Sequence, residues 1–222
     1  MRVTFLPDVL HDAGLVVQEL TGWAGRGVPL MRVDAVICHA TITGRHVPDV
    51  NVAGILRDGC KDLPGPLCQL GLDRGGRWWV VADGKGNHNG HGLYANQTIG
   101  VEAFNDGTEP WPAIQLDSYQ RGVAAICRRL DLPVERVLAH RESDPGRKSD
   151  PSGIDMDAFR RRVAHHLTPQ EPDDMPWTDE DSANLAAVKT LLEQMNHHIS
   201  AGADKGGRLA RITAAVEALV KK

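Results

Sequence analysis

Two short apolar runs, far apart in the chain, each stop at a histidine: Val33-Asp34-Ala35-Val36-Ile37-Cys38-His39 and Val137-Leu138-Ala139-His140. Runs this short and this apolar read as buried strands, which places His39 and His140 at strand exits. The segments around them fit a sheet with helices on its faces. Pro7 to Ala13 reads as a helix stopped by Gly14, and Leu15 to Leu20 as a strand. Asp49 to Lys61 carries Val52, Ile55, Leu56 and Cys60 at helical spacing, and Trp78 to Val81 is a strand after the Gly75-Gly76 turn. Asp117 is expected to cap a helix whose Val123, Ile126, Cys127 and Leu130 form one stripe. Asp155 is expected to start another, with Met156, Phe159, Val163 and Leu167 facing inward. Strands alternating with helices make an α/β fold. In such sheets, sites gather at strand ends, which suits both histidines.

The stretch from His140 to Asp150 carries most of the chemistry. Pro145-Gly146 is a turn, because proline presets φ and glycine accepts the positive φ that some turns need. Beyond it Lys148 and Asp150 stand at i and i+2, so in an extended segment both side chains face the same side. Catalytic zinc takes three protein ligands drawn from histidine, cysteine and carboxylate and keeps a fourth position for water. His39, His140 and Asp150 would supply that set, although two histidines and a carboxylate suit other divalent metals as well. Glu102 lies in an otherwise apolar strand, Ile99 to Phe104, where a carboxylate is costly unless it faces solvent, a partner or a cleft. Cys38 precedes a ligand but alternates to the opposite strand face, so packing is its expected role. His165-His166 and His197-His198 read as surface pairs.

At these residues the chain resembles the zinc-dependent N-acetylmuramoyl-L-alanine amidases of the type 2 amidase and peptidoglycan-recognition-protein superfamily, over roughly residues 1–167. Ile37-Cys38-His39-Ala40-Thr41 is similar to the family's first ligand strand. Leu70-Gly71-Leu72-Asp73-Arg74-Gly75-Gly76-Arg77-Trp78 resembles its Asp-Arg-x-Gly hairpin, and Asn87-His88-Asn89-Gly90 the element after it. Thr98-Ile99-Gly100-Val101-Glu102 is similar to its Ile-Gly-hydrophobic-Glu strand, and His140 to Asp150 to its second and third ligand loop. The resemblance implies a mixed central sheet flanked by helices. It also implies Zn2+ on His39, His140 and Asp150, and hydrolysis of the amide between N-acetylmuramic acid and L-alanine of the peptidoglycan stem peptide. Glu102 would be the base and Lys148 the oxyanion partner, with Thr41, His88 and Asn89 contacting substrate; an extended polymer calls for an open groove, and the tryptophans read mostly as core or rim, with Trp78-Trp79 as candidates to flank that groove. One departure stands out. Many members carry a Tyr-His pair entering the hairpin, and the tyrosine is catalytic in some; this chain has Cys68-Gln69.

The rest of the chain bounds the setting. Its 222 residues hold a catalytic domain at 1–167 and an accessory segment. A net charge of −4 argues against nucleic acid as a partner. Four cysteines without a C-x-x-C pair argue against a structural zinc knuckle, and reduced thiols are the simpler reading. The N-terminus lacks the apolar stretch of a signal peptide, and no run approaches the ~20 apolar residues of a membrane span. Synthesis in a host cytoplasm and action on the wall after release, as for a bacteriophage endolysin, is the expectation. Residues 168–177, with prolines at 169, 172 and 176, read as a linker. In 178–222, Leu185, Val188, Leu192, Met195 and Ile199, then Leu209, Ile212, Val216 and Leu219, follow heptad spacing. Gly202 and Gly206 leave open a hairpin or one long helix, and the segment is expected to serve self-association or wall targeting. Three rivals compete with this reading: a binding module without catalysis, a cysteine hydrolase built on Cys38 or Cys68 with His140, and a cytosolic amidase that recycles muropeptides. Filled ligand positions disfavour the first, and the absence of any nucleophile motif disfavours the second.

Overall fold

A computed structural model describes residues 1–168. The heptad-patterned segment, and the linker beyond Thr168, lie outside the described residues. In chain order the elements are α1 (Leu6–Asp12), β1 (Val17–Glu19), β2 (Val36–Ala40), α2 (Asp49–Asp58), β3 (Gly59–Cys60) and β4 (Leu63–Pro64). They continue with β5 (Leu70–Leu72), β6 (Trp78–Val80), β7 (Ile99–Ala103), α3 (Ala113–Leu130), β8 (Val137–Ala139), α4 (His140–Ser143) and α5 (Met156–Leu167). Six strands form one sheet in the order β1-β6-β5-β7-β2-β8, while β3 and β4 make a separate small ribbon. The pair β5–β6 is antiparallel and the other neighbours run parallel. The fold is α/β with a mixed central sheet flanked by helices.

Both faces of the sheet are covered, as parallel strands require. Alternation along each strand divides the side chains between two cores. Val36, Cys38, Trp78, Val80, Val101 and Ala139 pack with Leu6 and Leu10 of α1, Tyr119, Val123 and Ile126 of α3, and Phe159 and Val163 of α5. Each large aliphatic or aromatic side chain buried this way contributes about 1.5–3 kcal/mol. On the opposite face Trp79, Val81, Cys68 and Phe104 pack with Val52, Ala53 and Leu56 of α2. That second core is smaller, and the sheet face beside it is left for the site. Of the two readings of Trp78 and Trp79, core or groove flank, the core holds: Trp78 is fully buried beneath α3, and the buried Trp79 indole donates to Asp73.

Local chemistry sets the element ends. Asp155 caps α5 as expected, its carboxylate accepting from the backbone of Asp157 and Ala158. Asp117 does not cap α3. That helix begins four residues earlier, behind Pro112, whose ring fixes an extended entry, and Asp117 stands exposed within its second turn. The strand expected over Leu15–Leu20 narrows to Val17–Glu19, and α2 stops at Gly59. At Gly59 φ is +88°, and a Cβ would lie 2.3 Å from the Gly65 nitrogen, so only glycine fits. All four cysteines are free, with Cys38, Cys68 and Cys127 buried.

Candidate metal centre and catalytic groups

Strand register builds the site. His39 of β2 pairs with Glu102 of β7, and Cys38 pairs with Ala139 of β8. His140 therefore follows directly beside His39, although it opens the short helix α4 rather than ending a strand. His140, His39 and Glu102 form a row across the carboxyl ends of three parallel strands, on the face that α2 covers. Asp150 reaches the same row from the loop after α4.

The side chains converge. His39 Nδ1 lies 2.9 Å from His140 Nδ1 and 3.4 Å from Asp150 Oδ2, and His140 Nδ1 lies 3.2 Å from Asp150 Oδ1. The ligand atoms of the three residues all fall within 4.8 Å of one another. Glu102 Oε1 is 3.8 Å from His39 Nδ1. With Lys148, these residues line one cavity of about 260 Å³ whose other wall is Val52, Ile55, Leu56, Leu63 and Leu67. Thr41 lines it too, and its hydroxyl is buried without a partner among the described residues.

The donor set fits a divalent cation. Burial draws the His39 pKa down to about 4 against the raising pull of Asp150, with His140 and Lys148 adding to the fall. Burial alone would raise the Asp150 pKa, but its bonds to His140 and His39 hold it well below the usual carboxylate range. A neutral imidazole carries one ring proton, so two Nδ1 atoms facing each other cannot both donate. Two imidazole nitrogens and a carboxylate oxygen gathered this closely are the donor types that zinc coordination asks for. Burial, then the charge of Asp150, pushes Glu102 up to about 8, with Lys148 pulling the other way. A carboxyl poised near neutrality is suited to proton transfer.

The loop bearing Asp150 is clamped from within. The Arg141 backbone nitrogen donates to Asp150 O at 2.9 Å, and its guanidinium donates to the carbonyls of Pro151 and Ile154. Arg147 pairs with Asp144 across the Pro145-Gly146 turn. Glu142 accepts from the Ala139 nitrogen at 2.8 Å and pairs with Arg160 of α5. Only Glu142 left a trace in the sequence, three residues beyond the residue before the helix; Arg141 gave no signal. Tyr119 was missed as well. Its hydroxyl crosses from α3 to accept from the His39 nitrogen and donate to Val101 O, both at 3.1 Å.

Of the residues expected to contact substrate, Thr41 and His88 line the cavity and Asn89 does not. Asn89 is fully buried and does not line the cavity; its amide donates to Leu93 O and Ala95 O and accepts from Ser143. A fully engaged amide has nothing to offer a ligand. His88 lines the cavity as a buried residue, and its Nδ1 lies 3.0 Å from His39 Nε2.

Taken together, the sheet and this row of residues describe a candidate hydrolytic site at the carboxyl ends of its strands. Residues 29–153 of the 222 match the N-acetylmuramoyl-L-alanine amidase family, Amidase_2. The chain belongs to that family of peptidoglycan amidases. Solved structures share the fold at low identity. The endolysin N-acetylmuramoyl-L-alanine amidase LysCS from Clostridium intestinale is 14 % identical with a TM-score of 0.53, over 67 % of this chain and 95 % of that one. A mutant endolysin from Bacillus subtilis gives 14 % and 0.53, over 67 % of this chain and 99 % of that one. The Staphylococcus aureus hydrolase AmiA, solved with its ligand, gives 13 % and 0.53, over 74 % and 90 %. No curated protein matches the sequence.

Proposed function

We propose that the enzyme cleaves the amide between the lactyl group of N-acetylmuramic acid and L-alanine of the stem peptide, with a zinc ion held by His39, His140 and Asp150. The observation that carries this reading is the convergence of those three ligand atoms beside Glu102, in register with His39. Zinc there would supply a Lewis acid and lower the pKa of a water from 15.7 toward about 7. Glu102 takes a proton from the attacking water and later delivers one to the departing L-alanine amine. Lys148 faces the same cavity and stabilises the oxyanion as its charge develops. The unpartnered Thr41 hydroxyl is available to the substrate near the scissile carbonyl.

The apolar wall of α2 and the β3–β4 ribbon leaves one side of the cavity without charge, which suits the methyl-bearing lactyl and alanyl groups at the cleaved bond. A role in host lysis after release to the wall is supported by the fold shared with LysCS and the B. subtilis protein, both endolysins by name. Digestion of purified wall with mass analysis tests the bond. New N-terminal L-alanine without new reducing ends is the expected result, and new reducing ends would point to a glycosidase.

A further inference from the structure

The bonds around His88 give it a role other than contacting substrate. If His39 presents the Nδ1 lone pair to a cation, its single ring proton must reside on Nε2. His39 Nε2 lies 3.0 Å from His88 Nδ1, and His88 Nε2 lies 3.4 Å from the carbonyl of Thr98. Thr98 Oγ1 stands at the same 3.4 Å from His88 Nε2 and can serve either proton order, so it is the lone pair required on His39 Nδ1 that selects one arrangement. His39 Nε2–H donates to His88 Nδ1, and His88 Nε2–H donates to Thr98 O. The opposite order would place a proton on His39 Nδ1, facing His140 and Asp150. Ligating histidines generally donate their second N–H to a carboxylate or carbonyl, which fixes tautomer and ring orientation. Here a second imidazole stands in that position and passes the bond on to the backbone.

The surroundings of His88 hold it for this task. Its ring lies against β7 at Gly100, where a Cβ would come within 2.6 Å of the ring. The Gly100 nitrogen is itself held by Gln69 Oε1 at 2.7 Å. Both neighbours of His88 are tied down: the Asn87 nitrogen donates to Pro66 O at 2.9 Å, and the Asn89 nitrogen to Asn96 Oδ1 at 2.7 Å. The Ser143–Asn89 bond of 2.8 Å then joins this loop to α4, the helix that begins with His140. The loop is thus braced against α4, which opens with His140, and against β7, the strand next to the one that carries His39. His140 has no equivalent support, since its Nε2 is buried without a partner among the described residues.

We propose that His88 is a positioning residue that locks His39 in the Nδ1-ligating tautomer, and that Gly100 is glycine so that the His88 ring can reach it. This rests on the metal reading of the site. The test is zinc affinity, measured on the full-length protein by competition with a chromogenic chelator. His88→Leu removes the acceptor for His39 Nε2–H and is expected to weaken zinc binding about 10–100-fold. His88→Asn places Oδ1 near the lost Nδ1 and should recover most of that loss. The urea midpoints of the two zinc-free variants should fall together, because both lose the Thr98 bond. Equal zinc affinity in wild type and His88→Leu overturns the proposal. Zinc binding lost by more than about a thousandfold in both variants overturns it too, making His88 a ligand rather than a support. A wild-type protein that takes up no zinc overturns the metal reading itself. Independently of any variant, ring 15N shifts of zinc-loaded wild type should show His39 and His88 both protonated on Nε2; a proton on His88 Nδ1 refutes the assignment.

Discussion

Gly122 lies in the middle of α3, where alanine would ordinarily stabilise a helix by up to about 1 kcal/mol. Here Gly122→Ala should do the reverse. A Cβ at this position would stand 2.1 Å from Cζ2 of Trp78 and 2.7 Å from its Cε2. Carbon atoms settle near 3.5–4.0 Å, so the indole must retreat by roughly 1.5 Å. It has no free space, since Trp78 is fully buried and stacks edge-on against Tyr119. Retreat also breaks the 2.9 Å bond from its indole N–H to Ser118. Overpacking costs about 1–3 kcal/mol and the lost hydrogen bond about 1, against the helix gain, which nets to a loss of about 2 kcal/mol. For a domain of this size that lowers Tm by about 4–8 °C. Urea unfolding followed by far-ultraviolet circular dichroism measures it. The control is Trp78→Phe, which deletes the benzo ring that the new methyl would strike. In that background Gly122→Ala should be neutral or favourable, giving a coupling energy of about 2 kcal/mol. A variant as stable as wild type, or the same loss in both backgrounds, would refute the close-packing argument.

Other outcomes follow from the site. His39→Ala, His140→Ala and Asp150→Ala should lose bound zinc and activity together, whereas Glu102→Gln and Lys148→Ala should keep zinc and lose about 10²–10³ in turnover; metal analysis beside wall-lysis rates separates the two groups, and near-normal turnover in Glu102→Gln sinks the base assignment. In the zinc-free protein the Glu102 pKa is raised from 4.5 to about 8, so its contribution to stability is full below pH 4.5 and is lost as pH rises through about 8. Urea midpoints of chelated protein should therefore fall between about pH 5 and pH 8 more steeply in wild type than in Glu102→Gln, and parallel profiles would contradict this. Native alkylation should modify Cys60 and leave most activity, because the other three thiols are buried; full inactivation in the presence of zinc would favour a cysteine mechanism. Truncation after Thr168 should preserve hydrolysis of soluble muropeptide and weaken action on whole walls, with sedimentation reporting any loss of self-association.

How much of this could be read from the chain depends on distance along it. The strands around His39, Glu102 and His140 were legible because a buried parallel strand writes itself as an apolar run. The turn before Lys148 was legible because proline and glycine announce it. The start of α3 was not, since a proline entry leaves no capping side chain and Asp117, a plausible cap, is just an exposed helical residue. The mutual placement of the candidate ligands was hidden for a different reason. It follows from β2 lying between β7 and β8, an order that local pattern does not encode. The roles of His88, Asn89 and Tyr119 were hidden likewise: each acts through a hydrogen bond to a segment remote in sequence.

The departure at Cys68 acquires a physical meaning once the sheet is seen. Cys68 is buried against the α2 core, and its thiol pKa is raised well above its usual value by burial and by the charge of Glu102. Such a thiol stays protonated and is a poor nucleophile. It also supplies no phenol to assist proton transfer, and the buried hydroxyl of Tyr119 is committed to the His39 nitrogen and Val101 O from the far face of the sheet. Gln69 is spent as well, bridging Gly84 O and the Gly100 nitrogen. That leaves Glu102, 3.8 Å from His39 Nδ1, as the carboxyl in the cavity that is not hydrogen-bonded to either histidine. Its pKa near 8 answers the objection that an unpaired buried carboxylate is too costly, because much of the time it is a neutral acid until a cation arrives. The strand that looks anomalous for carrying a glutamate therefore places, among the described residues, a carboxyl in the cavity that can hold the proton the proposed reaction needs.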